Sequence, residues 1–280
     1  MTRGFVTAAT VLGTVLLASV TAVARPAAAA VPDPAHAVKR RLAAGQGVRT
    51  SETVRISFGG TTTASGYRST GRVRLARTGP AAVAVTWRDV PGRDPAHSAI
   101  RIGNVVYCDA GQYPIPVPDG RRWVAQTRRA GFCWTMAQRA GLQPIDVYDP
   151  AMLRAVLRRS TRTAVRGGHR YQGALTYREL SKIVPKSYRN PATNARVTAT
   201  SKGRITWRLF TGRDGLPTRL VTTNTQGSGK SAVVMRVDTR YSAWGRRVTI
   251  TAPPAAETIA QDDLYGPAVP DPEPASAAAN

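Results

Sequence analysis

The chain has 280 residues, 40 of them basic and 16 acidic, for a net charge of +24. That length suits one domain with a substantial core behind a short leader, and three scattered histidines with two cysteines leave no metal-ligand cluster. A surface this basic attracts polyanions such as nucleic acid, anionic lipid headgroups or acidic wall polymers. Lysine stands at only five positions, so the arginine excess fits the coding bias of a GC-rich genome equally well.

Arg3, an apolar run from Phe5 to Ala24 and the small residues Ala27 to Ala30 read as a secretory signal peptide covering 1–30. The competing reading is an uncleaved anchor, since about 20 apolar residues just span a bilayer; the alanine-rich exit favours cleavage. No cysteine lies near this junction to take a lipid anchor. The exported product is therefore expected outside the cytoplasm, soluble or associated with the wall.

Asp33-Pro34 opens a helix expected to run to Ala44, with Val38 and Leu42 on one face and Gly45 as its stop. Val48 to Phe58 alternates loosely. Arg72 to Leu75 and Val83 to Trp87 alternate with period two, as half-buried strands do. Pro91 to Pro95 is a turn, and Ile100 to Cys108 a strand that Gly103-Asn104 sharply reverses. Prolines 114, 116 and 118 exclude regular structure. Trp123 to Gln126 reads as a short strand and Cys133 to Ala140 as a helix. Asp149-Pro150 is an N-cap followed by proline at N1, opening a helix with Leu153, Val156 and Leu157 on its apolar stripe. A strand over His169 to Tyr177 and a short helix near Glu179 to Val184 follow. The chain then enters a meander: Ile205 to Leu209, a turn at Asp214-Gly215-Leu216-Pro217, two more alternating segments, and a close through Tyr241 to Gly245. Residues 261–280, acidic and rich in proline and alanine, are expected to be a disordered tail.

Cys108 and Cys133 are expected to pair in an exported chain. Closing that loop stabilises by about 3 kcal/mol. Gly227 to Ser231 ends like a phosphate loop, but Asn224 stands where the first glycine belongs, which leaves a hairpin. His36, His97 and His169 lack a partner at metal spacing. Asp89, Asp94, Asp109 and Asp119 fall in or beside turns, where Asp caps backbone amides. No catalytic residue, cofactor or metal is expected, and the domain reads as non-enzymatic.

The order of helix, strands, inserted helices and more strands predicts an α+β domain over 31–260. Read with Asp149-Pro150 and its helix stripe, Tyr171-Gln172-Gly173, the segment Ile205 to Leu216 and the closing Tyr241-Ser242-Ala243-Trp244-Gly245, it resembles the LolA-like superfamily, nearest the actinobacterial exported lipoproteins of the LppX, LprA, LprF and LprG group. The resemblance implies a curled antiparallel sheet, an open half-barrel, with helices packed on its concave face around an apolar cavity for lipid or acylated molecules. Two features depart from the pattern: the missing lipid-anchor cysteine, and the Cys108/Cys133 pair, which has no place in it.

The expected cavity lining is Val83, Val85, Trp87, Leu175, Trp207, Leu209 and Met235 from the strands, faced by Leu153, Val156 and Leu157. An apolar strand face is more often plain core than cavity. Two other classes stay open: a basic surface protein binding anionic wall polymers, nucleic acid or membrane, and an envelope-sensing regulatory domain. No specific nucleic-acid partner is expected, and the chain is expected to be a monomer.

Overall fold

The computed structural model describes Met1 and residues 31–59, 65–92, 95–127, 131–184, 188–190, 196–227 and 231–265. The leader expected over 1–30, most of the Gly227 to Ser231 loop and residues 266–280 lie outside them. The chain divides into two units, Met1–Val31 and Pro32–Asn280. Every element below belongs to the second.

The architecture is α+β, a single large sheet, mostly antiparallel and not closed, accompanied by helices. In chain order the elements are α1 (Pro34–Arg41), β1 (Gln46–Phe58), β2 (Ser65–Ala76), β3 (Gly79–Val90), β4 (His97–Ile102), β5 (Val105–Asp109), β6 (Trp123–Gln126), α2 (Gly131–Arg139), α3 (Pro150–Leu157), β7 (Thr161–Val165), β8 (Gly168–Thr176), α4 (Tyr177–Leu180), β9 (Arg204–Gly212), β10 (Pro217–Gln226), β11 (Val233–Arg247), β12 (Thr258–Ala260) and α5 (Gln261–Tyr265). The strands lie in the order β12-β6-β5-β4-β3-β2-β1-β11-β10-β9-β8-β7. All neighbours are antiparallel except β12 and β6. The first half of the chain thus folds outward from β1 and the second half returns to it. They meet at β1–β11, where Val54 lies opposite Val237 and Ile56 opposite Met235.

Local chemistry explains the starts. Asp33 accepts from the Ala35 amide at 3.0 Å and Asp149 from the Ala151 amide at 2.8 Å, each ahead of an N1 proline. Thr176 and Glu179 form a reciprocal capping box, which sets α4 two residues earlier than the expected Glu179 start. Gly103, at φ 57°, supplies the left-handed residue of the tight β4–β5 turn, the reversal expected at Gly103-Asn104, which divides Ile100 to Cys108 between the two strands of a hairpin. The β1, β2 and β3 strands run longer than their alternating centres suggest. Thr161–Val165 is an additional edge strand, exposed throughout, and Gln261–Tyr265 is helical within the stretch expected as tail.

One face of the sheet turns toward the helices. α2 lies against β3, β4 and β5, α4 against β8, and α1 against α3. Cys108 of β5 is disulfide-bonded to Cys133 of α2, with a Cα–Cα distance of 6.1 Å. Arg101 of β4 adds a second tie, its Nε donating to the Ala137 carbonyl at 3.1 Å. Among the described residues, no helix is long and apolar enough to cross a membrane.

Candidate functional site

Strand register sorts the inner face into rows. Trp87, Ser69, Glu52, Thr239, Leu220, Leu209 and Tyr171 stand opposite one another across seven strands. The next row holds Tyr67, Val54, Val237, Thr222 and Trp207. Ser65, Ile56, Met235, Asn224, Ile205 and Leu175 follow, and Phe58, Val233 and Gln226 stand at the end.

The ten positions expected to line a cavity are distributed over three parts of one core. Val83, Val85 and Trp87 lie on β3 beneath α2. Leu175, Trp207, Leu209 and Met235 lie on β8, β9 and β11, and Leu153 and Val156 on α3 beside α1. Leu157 is half-buried against the same core. All nine others are buried.

The centre of the inner face is polar, which the sequence reading missed. Glu52, on the middle strand, is 2% exposed. Its Oε1 accepts from the Leu142 amide at 2.8 Å and its Oε2 from the Thr239 hydroxyl at 2.6 Å. Burial, partly offset by these bonds, pushes its carboxyl up to about 7. Gln143 completes the network. Its Nε2 donates to the Leu220 carbonyl and Thr239 Oγ1, both at 2.9 Å, and its Oε1 accepts from Thr222 at 3.0 Å. Arg139 donates to the Gln143 carbonyl and pairs with Asp146 at 3.1 Å. Residues 140–148 thus form a plug that the sheet holds by hydrogen bonds. The pocket between plug and sheet, lined by Glu52, Gln143, Tyr148 and Tyr241 among others, measures about 10 Å³. That is about one water probe, far short of an alkyl chain. The signal for Glu52 was its phase: even positions of β1 point inward with Val48 and Val54, and the loose alternation seen there is this buried carboxyl.

One end of the inner face is different. Phe58 ends β1 at 53% exposure, in the same phase as Ile56. Phe132, at the start of α2, is 44% exposed, with its ring centroid 5.6 Å from Tyr67 and 5.7 Å from Trp87. Beside them, Asn224 donates to Asn190 at 3.1 Å, Asn190 donates to Gln226 at 3.2 Å, and Tyr177 bonds both asparagines. Phe58 thus shares its row with Gln226 of the amide cluster, while Phe132 covers Tyr67 and Trp87.

The histidines are dispersed. His36 is exposed on α1, His97 lies 5.8 Å from the Trp87 ring, and His169 lies near Tyr171.

No protein-family model and no curated protein matches the chain. Among solved structures it is similar to LprF from Mycobacterium bovis, at 16% identity and TM-score 0.41 over 79% of this chain and 93% of that one. A LolA superfamily protein from Nitrosomonas europaea aligns at 9% identity and TM-score 0.28, over 78% and 93% of the two chains. The MucA/MucB complex of Pseudomonas aeruginosa aligns at 16% identity and TM-score 0.30, over 79% and 67%.

Proposed function

We propose that this chain is an exported, non-enzymatic module that binds a lipid or acylated molecule on the inner face of its half-barrel, entering at the end marked by Phe58 and Phe132. The observation that carries the reading is the exposure of these two rings, at 53% and 44%, on the face that otherwise forms the core. Leaving large apolar groups in water gains nothing for folding, whereas each acyl CH2 they cover is worth about 0.8 kcal/mol to a ligand. Ile56, half-buried against the core, continues the apolar path inward from Phe58.

Deeper entry past Glu52 requires the plug or α2 to move, because the pocket there measures about 10 Å³. The ten expected lining positions would then be reached in sequence, Trp87 and Met235 first, since the Trp87 ring lies 5.7 Å from Phe132 and Met235 stands opposite Ile56, two residues from Phe58.

Lipid extraction and mass spectrometry of the purified protein, with titration of a fluorescent fatty acid, test the reading. Saturable binding by the folded chain, weakened about tenfold or more by Phe132→Asp or Phe58→Asp, is expected. An empty extract with no saturable uptake of the probe overturns it.

A further inference from the structure

The outer face of the sheet carries arginines placed directly opposite one another on neighbouring strands. Arg49 faces Arg72, Arg68 faces Arg88 and Arg55 faces Arg236, and all six are exposed. Arg219 and Arg240 repeat the pattern on β10 and β11. Neighbouring strands lie about 4.8 Å apart, and like charges facing each other across that gap destabilise a sheet. Alternation with any neutral polar residue would avoid this cost. A coding bias toward arginine would raise their number without explaining their pairing across strands. The one carboxylate that β1, β2, β9, β10 and β11 turn outward is Asp238, and it is already held by Arg219 Nε at 2.8 Å.

This face is also recessed. A cleft of about 570 Å³ over β8–β10 is lined by Arg204 and Arg208 with Gln172, Thr206 and Thr223. Arg159 borders it but is already paired with Glu179. A second cleft of about 450 Å³ over β1–β4 is lined by Arg49 and Arg72 with Thr70, Thr86 and Ser98. Guanidinium forks flanked by hydroxyls match phosphate oxygens in both charge and geometry.

We infer that the outer face is a second binding surface, which takes a linear phosphate-linked polymer through its phosphates, independently of the acyl-binding reading of the inner face. Recessed arginines favour a chain that can lie in a cleft over a flat bilayer, which would bear on the ridges instead. Trp123 of β6 borders the second cleft, and Phe210 on outer β9 is half-buried beneath Arg219, whose guanidinium lies 5.9 Å from the ring centroid, so arginines outnumber rings on this face.

The test uses the full exported chain and long-chain inorganic polyphosphate. Binding should be saturable and weaken steeply as salt rises, because each phosphate contact releases a counterion. Arg49→Glu/Arg72→Glu and Arg204→Glu/Arg208→Glu should each lower affinity by about tenfold or more and flatten the salt slope, while fatty-acid uptake stays unchanged. A control, Arg40→Glu/Arg154→Glu on α1 and α3, changes net charge equally and should lose far less. An equal loss in the control reduces the effect to net charge and overturns the site. Tighter binding to phosphatidylglycerol vesicles than to polyphosphate overturns the polymer assignment, as does the absence of saturable binding.

Discussion

The Leu142 amide donates to Glu52 Oε1 at 2.8 Å, joining the middle strand of the sheet to the connection after α2 across 90 residues of sequence. Gly141, next to Leu142, leaves the room for this bond: a Cβ there would come within 2.4 Å of the carboxylate. A buried acid therefore fixes where the plug sits.

That acid should make stability depend on pH in a definite direction. Burial raises its carboxyl from an ordinary 4.5 to about 7, with the bonds from Thr239 and Leu142 opposing and Asp238 adding to the rise. The folded state then holds the proton more tightly than the unfolded one. Its stabilising effect is complete below about pH 4.5 and lost as pH rises through about 7, a change on the order of 3 kcal/mol. Urea midpoints of the native chain and Glu52→Gln, compared from pH 4 to 8, should diverge over that window, with the native chain falling further. Parallel curves would show that Glu52 does not titrate in this way.

Gly71 of β2 faces the plug, and a Cβ there would meet Ala140 Cβ at 2.5 Å and Thr50 Oγ1 at 2.7 Å. Gly71→Ala should destabilise by about 1–3 kcal/mol through overpacking, seen as a lower Tm. An unchanged Tm would mean that residues 140–143 shift freely away from the sheet.

The Cys108–Cys133 bond closes a 25-residue separation and holds α2 on β5. Replacing both cysteines with alanine should cost about 3 kcal/mol. The loss should appear in chemical denaturation. If reduced and oxidised protein unfold at the same urea concentration, Arg101 and core packing alone are holding α2.

Asp149 caps α3 with bonds from Ala151 and Met152 at 2.8 and 3.2 Å. Asp149→Ala should lose about 1 kcal/mol, and Asp149→Ser should recover most of it. Equal losses in both variants would assign the effect to charge.

What could be read locally was read well where one short segment carries its own physics. The period-two centres of β3 and β9, the Asp-Pro starts of α1 and α3, and the glycine-marked turns after β4 and β9 are all set by residues within a few positions of one another. The inward phase of Trp207 and Leu209 followed from that alternation, and so did their burial. Glu52 escaped the reading because a carboxyl within an apolar phase looks like a break in the pattern, not like part of it.

The residues of the chain thus determined, without further help, the strand centres, helix caps and overall excess of arginine. Tertiary structure alone decided that β1 pairs with β11, that β12 lies parallel to β6, that a polar plug fills the middle of the inner face, and that arginines stand opposite arginines on the outer one. Strand pairing joins segments far apart in the chain. Which side chains face each other, and whether space remains between them, is therefore a property of the register and not of any one stretch of sequence.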